Sequence, residues 1–206
     1  MKTRVFLAVL GSLAFAACSG EEGDPSPDAS AAEATGAAVD VAALTQEARE
    51  ITKSFGGALK GELQASMMAD GPVAAIEVCN VRAPEIAAAK AEASGWHVAR
   101  TSHRVRNAGN APDAWESEQL ALFAKLAESG DPMDAMEVSQ VIESPDGAIF
   151  RYMKAIPTGE VCVVCHGSDL APEISERLDV LYPDDAARGF EVGALRGAFT
   201  IQKRLK

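Results

Sequence analysis

Apolar residues from Val41 onward recur at alternating steps of three and four: Val41, Leu44, Ala48, Ile51, Phe55, Leu59 and Leu63. That spacing predicts one apolar stripe on a long helix, with Gly56-Gly57 as a point where it bends. Packing on the domain's own core is one use of such a stripe; a dimer seam is the other. Asp70-Gly71-Pro72 predicts a break, with Pro72 in the first turn of a second helix. The second helix runs to about Ala93 with Ile76, Cys79, Ala83, Ile86 and Ala87 on one face, kinked at Pro84.

The pattern then changes period. Trp96 to Val105 reads as a strand and Arg106 to Ala111 as a loop. Pro112 opens a helix with Trp115, Leu122, Phe123 and Leu126 at helical spacing, which Gly130-Asp131-Pro132 closes. Glu137–Ser144 and Ala148–Ile156 are β-prone runs joined by Pro145-Asp146-Gly147, a hairpin signature. A short helix from about Pro172 to Leu181 and a last strand, where Phe199 and Ile201 alternate with Thr200 and Gln202, complete the pattern. Helices in front of antiparallel strands predict an α+β domain.

The N-terminus adds a compartment. Lys2 and Arg4 precede the apolar run Val5–Ala17, small residues stand at Ala14, Ala16 and Ala17, and Cys18 follows. A charged start, a short apolar run and a small-residue cleavage site predict a signal peptide over 1–17. Cys18 at the cleavage point predicts a lipoprotein on the periplasmic face of a membrane, and Ser19 after it favours the outer membrane. Residues 18–38, rich in Ala, Ser, Pro, Glu and Asp, read as a disordered tether to a domain over 39–206. The chain carries a formal charge of −11, and losing Lys2 and Arg4 makes it more acidic still. That excludes nucleic acid as a natural partner, since phosphates need basic surfaces.

The candidate chemistry lies in Cys162-Val163-Val164-Cys165-His166. Two cysteines three residues apart can each form a thioether to a haem vinyl group, and the histidine that follows falls where it can bind the iron. A dithiol exchange site gives no reason for the histidine, and a zinc site lacks a second ligand pair. The reading is one covalent haem c. Cys79 is then an odd thiol in an oxidising compartment, on the apolar face of its helix. It competes for the sixth iron position with His97, His103, Met133, Met136 and Met153, or with an open site; a buried inert cysteine is the bland alternative. Arg104, Arg106 and Arg151 are candidate partners for haem propionates, with ordinary surface pairing the more common use of any single one of them.

Six segments occur in a specific order: Ala75-Ile76-Glu77-Val78-Cys79-Asn80; Arg100-Thr101-Ser102 with Arg106-Asn107 to Trp115-Glu116; Arg151-Tyr152-Met153-Lys154; Cys162 to Gly167; Tyr182-Pro183; and Leu195-Arg196-Gly197-Ala198. Together they resemble the bacterial PAS-like monohaem c-type domain, long described only as a domain of unknown function, over roughly Val39 to Leu205. That family occurs alone as an exported protein and as the extracytoplasmic input region of sensor kinases. The resemblance implies a central antiparallel sheet flanked by helices, long N-terminal helices, and axial ligation by His166 and Cys79. Ala108 and Ala194 depart from the family pattern, which often has proline and an acidic residue there. The function expected is sensing of redox state or a small gas, read by a separate signalling or redox partner protein. The alternative is a periplasmic electron-transfer monohaem cytochrome. No distal acid–base pair beside an open iron is evident in the sequence, so an enzyme such as a peroxidase is disfavoured.

Overall fold

The computed structural model describes residues 39–143 and 145–205; the segments expected to be a signal peptide, a lipidated Cys18 and a tether lie outside them. Helix α1 (Val41–Glu77) starts at Asp40, whose side chain accepts from the Ala43 amide at 2.9 Å. It stays helical through Gly56-Gly57 and breaks at Gly71, where φ is +84°. Gly56 serves close approach rather than bending: a Cβ there would lie 2.9 Å from the Phe199 ring. Beyond Gly71 the chain resumes with Pro72 in its first turn, as the Asp-Gly-Pro signal predicts.

Pro84 acts one turn earlier than the sequence suggests. Lacking an amide, it cannot bond the carbonyl four residues back, and its ring crowds that turn. The chain widens into a π-helical turn over Val78–Arg82, closed by the Ala83 amide on the Val78 carbonyl, before α2 (Ala83–Ser94) resumes. Cys79 sits in this π turn. Gly95 ends α2 in the left-handed conformation.

Strand β1 (His97–Thr101) stops four residues short of the expected Val105. The Ser102 hydroxyl donates to the Arg196 carbonyl at 2.9 Å and accepts from the Arg104 amide at 3.1 Å, turning the chain out of the sheet. Helix α3 (Ala114–Glu128) opens with a capping box between Asp113 and Glu116. The hairpin β2 (Glu137–Ile142) and β3 (Ile149–Pro157) forms as predicted. Helices α4 (Glu160–His166) and α5 (Pro172–Leu181) follow, and β4 (Leu195–Arg204) ends the fold.

The sheet order is β1-β4-β3-β2, every pair antiparallel, so the last strand lies inside the sheet. Both faces are covered. On one, Ala48, Phe55 and Trp96 pack on Phe150, Tyr152 and Ile201. On the other, Leu120 and Phe123 of α3 pack on Met153, Ala155 and Ala198. This two-sided burial explains Thr200, expected on a polar face but buried beneath α3. A third cluster joins Ile76 to Ile174, Leu178 and Tyr182, with Cys165 against it. It brings the chain after Gly71 onto α4 and α5. The fold is the expected α+β, PAS-like arrangement with a central antiparallel sheet and a long N-terminal helix. No described helix is long and apolar enough to cross a membrane.

Candidate functional site

Helix α4 places Cys162, Cys165 and His166 at relative positions i, i+3 and i+4, on one side of a single turn. The Gly159 amide points at the Cys162 sulfur at 3.3 Å. Gly167 ends the helix so tightly that a Cβ would stand 2.6 Å from the Val163 carbonyl oxygen. The motif thus projects into a cavity of about 490 Å³, within the size range of small-molecule and cofactor sites.

That cavity lies at the end of the sheet where β1 and β3 leave it and β4 enters. Leu59, Leu63 and Met67 of α1 supply an apolar wall, Ile156 and Phe199 the floor, and Cys79 enters from the π turn. Cys79, Cys162, Cys165 and His166 therefore surround one space, and the three cysteines are free thiols. Among the described residues no three His, Cys, Asp or Glu groups converge tightly enough to hold a bare metal ion. The donors enclose a volume rather than a point, which fits a group of macrocycle size.

His166 is fixed in one tautomer. Its Nδ1 lies 2.7 Å from the Ala187 carbonyl, which can only accept, so Nδ1 carries the proton and Nε2 keeps its lone pair. Burial, followed by the nearby Arg196 and Arg106 cations, pushes its pKa down to about 3, so the ring is neutral at physiological pH. Phe190 meets the imidazole edge-on at 6.3 Å. Burial pushes the Cys165 thiol up, with Arg106 opposing.

Arg106 knits this side together. It pairs with Asp185 at 3.0 Å and donates to the carbonyls of Cys165 at 2.6 Å and Ala187 at 3.2 Å. Asp185 also accepts from Arg188 at 2.9 Å and from the Ala187 amide at 2.9 Å. The carbonyl that orients His166 is thus itself held by a buried ion pair.

The rival ligands lie elsewhere. His97 is exposed at the start of β1, and His103 is exposed with its Nε2 2.9 Å from the Ser117 hydroxyl. Met133, Met136 and Met153 pack under α3 on the far face of the sheet. None of the five lines the cavity. Two of the three arginines expected at the cavity are also displaced from it: Arg104 stacks on Phe190 at 4.1 Å, and Arg151 is buried among Glu116, Asp113 and Trp115 across the sheet. Arg106 does line the cavity.

Sequence reasoning assigned no role to Arg100, Thr158 and Arg196, which line the cavity too. Arg100 and Arg196 belong to the ordered segments quoted above, the one signal that marked them. The departures from the family pattern fit locally: Ala108 begins a 3-10 turn capped by the Asn107 side chain, and the Ala194 carbonyl accepts from the Thr158 amide just past the end of β3.

Comparison with known proteins agrees with this architecture. The model of the Tll0287-like family matches residues 28–203. The crystal structure of the cyanobacterial heme-protein Tll0287 superposes with a TM-score of 0.56 at 20% identity, covering 80% of this chain and 94% of that one. No curated protein sequence matches the chain. With its family model spanning nearly the whole length and its fold shared with a solved relative, this chain belongs to the Tll0287-like family.

Proposed function

We propose that this protein is an extracytoplasmic c-type haem protein with His166 and Cys79 as axial ligands, and that it senses redox state or a small gas. One observation carries the reading: the odd cysteine, Cys79, lines the same cavity as Cys162, Cys165 and His166, although the π turn and α4 are far apart in the chain. The solved relative is a heme-protein, which supports the same cofactor here.

In this reading the Cys162 and Cys165 thiols each add across a vinyl group, the sulfur bonding to one carbon and the proton going to the other. His166 offers Nε2 while Ala187 holds Nδ1–H. Cys79 offers a thiolate, which favours ferric over ferrous iron. When bound, the haem supplies a redox-active iron able to take a diatomic ligand once one axial side chain leaves. The π turn places Cys79 on an irregular stretch of helix, a type of feature often kept at functional sites. Lipidation at Cys18 would hold the domain at the periplasmic face of the membrane, within reach of a signalling or redox partner protein. A homodimer through α1 belongs to the same proposal.

Expression in a host competent for cytochrome maturation tests it. Denatured protein should keep its pigment and weigh one haem more than the processed chain; a bare chain rejects the reading. Cys79→Ser should abolish the thiolate signature in the ferric absorption and EPR spectra and raise the reduction potential. Spectra and potential unchanged by that substitution exclude Cys79 as ligand. Rapid reversible electron exchange, with no CO adduct after reduction, assigns the protein to electron transfer instead.

A further inference from the structure

Three guanidinium groups line the cavity, and only one of them has a carboxylate. Arg106 is paired with Asp185, whereas Arg100 and Arg196 form no ion pair among the described residues. Arg196 has two long hydrogen bonds, to the Ser102 hydroxyl at 3.4 Å and the Arg104 carbonyl at 3.5 Å, and faces the Phe190 ring at 5.0 Å. Arg100 has the Phe55 ring at 5.9 Å. Both are partly buried. Burial pulls the Arg196 pKa down to about 10, with repulsion from Arg106 and Arg100 adding to it, and burial lowers Arg100 as well. Two cations crowded into an apolar cavity are unfavourable unless an anion joins them.

The wall beside these arginines is fixed at Thr158, whose hydroxyl is sealed from the cavity. Thr158 is 2% exposed, and its hydroxyl has no hydrogen-bond partner. Its backbone pairs with Ala194 and Gly193 at 2.8 Å each, just ahead of Arg196 on the way into β4.

We propose that Arg100 and Arg196 form the carboxylate-binding end of the cavity and receive the two haem propionates. The inference rests on the haem reading and adds residues to it. Two propionates bring two negative charges, matching the two unpaired guanidiniums, and the guanidinium fork is a suited donor for carboxylate oxygens. Arg106, expected from sequence to do this work, is already committed to Asp185 and to the α4 carbonyls.

The test uses the pigmented full-length protein. Arg100→Met and Arg196→Met should each shift the propionate bending band in resonance Raman. Each should also lower the reduction potential, because losing a nearby cation favours ferric iron. Arg177→Met, which breaks a surface pair with Glu77, should change neither. Arg100→Lys and Arg196→Lys keep the charge but lose the fork, so they should shift the band with a smaller change in potential, and they stand in if the Met variants do not mature. A band and a potential unchanged in the Arg100 and Arg196 variants overturn the proposal, as does a band that responds only to Arg106→Met. A wild-type protein without covalent haem instead defeats the haem reading itself.

Discussion

The two faces of the sheet treat buried arginine in opposite ways. Beneath α3, the Arg151 charge is answered by carboxylates: Asp113 at 2.8 Å and Glu116 at 3.2 Å pair with it and the Trp115 ring lies at 4.4 Å, while its buried Nε has no partner. Glu116 is satisfied on both oxygens, one taking the Asp113 amide at 3.1 Å and the other the Thr200 hydroxyl at 2.7 Å together with Arg151. On the cavity side, Arg100 and Arg196 are partly buried, with no carboxylate paired to either among the described residues. A closed ionic cluster serves packing, because every charge is answered within the fold. An open one points to something from outside. The contrast therefore separates the face that holds the domain together from the face that binds.

The largest break in this comparison is at Glu116. Glu116→Ala leaves Arg151, whose side chain is only 9% exposed, with the half-exposed Asp113 as its one carboxylate, and removes a capping box and the Thr200 partner at once. Loss of one partner of a buried pair costs about 3 kcal/mol or more, which urea unfolding should register directly. Replacing both partners, Glu116→Leu with Arg151→Met, should recover much of that loss, since an apolar pair of similar volume leaves no buried charge. If the single and double variants are equally damaged, the cluster is not an ionic unit and the contrast between the faces weakens.

Next in size is Gly167→Ala. The added methyl would meet the Val163 carbonyl oxygen at 2.6 Å, and the last turn of α4 has to shift. An overpacking cost of about 1–3 kcal/mol is expected, seen as a lower midpoint of thermal unfolding. Because the same turn carries His166, this variant should also disturb the proposed haem spectrum. Glu116→Ala, acting on the opposite face, should leave that spectrum largely intact in the folded fraction.

How far each face was legible in the sequence follows from how local its interactions are. Cys162, Cys165 and His166 were readable because one helical turn brings them together. The hairpin, α5 and the break at Gly71 were readable for the same reason, each resting on adjacent turn or cap residues. Cys79 was visible only as an odd thiol and through resemblance, because its approach to α4 depends on the Ile76, Ile174 and Leu178 cluster. The unpaired state of Arg100 and Arg196 depends on which carboxylates the fold places nearby, and no sequence pattern encodes that. Arg151 shows the reverse error: its charge suggested a ligand partner, whereas the fold supplies Glu116. The length of β1 was misjudged because Ser102 leaves the sheet to bond β4, a contact between chain segments far apart in sequence.

The smallest effect concerns acid. Burial alone would raise the Asp185 carboxyl, but hydrogen bonds from Arg106, Arg188 and the Ala187 amide outweigh it and hold the group below its usual range. Asp113 is likewise held down against burial, by the Glu116 amide and by Arg151. A carboxyl depressed in the folded state adds stability above its unfolded pKa of about 4, and that stability is lost as the pH falls through the folded value. Both groups therefore steepen the acid side of the stability curve and leave the alkaline side alone. The Asp185 side chain is 2% exposed and that of Asp113 is 52% exposed, so water screens the second far more. Asp185→Asn should accordingly flatten the fall in thermal midpoint below about pH 4 more than Asp113→Asn does. A larger response from Asp113 would mean that the ion pair beside His166 is the weaker of the two, and that the Ala187 carbonyl is held in place by its backbone neighbours instead.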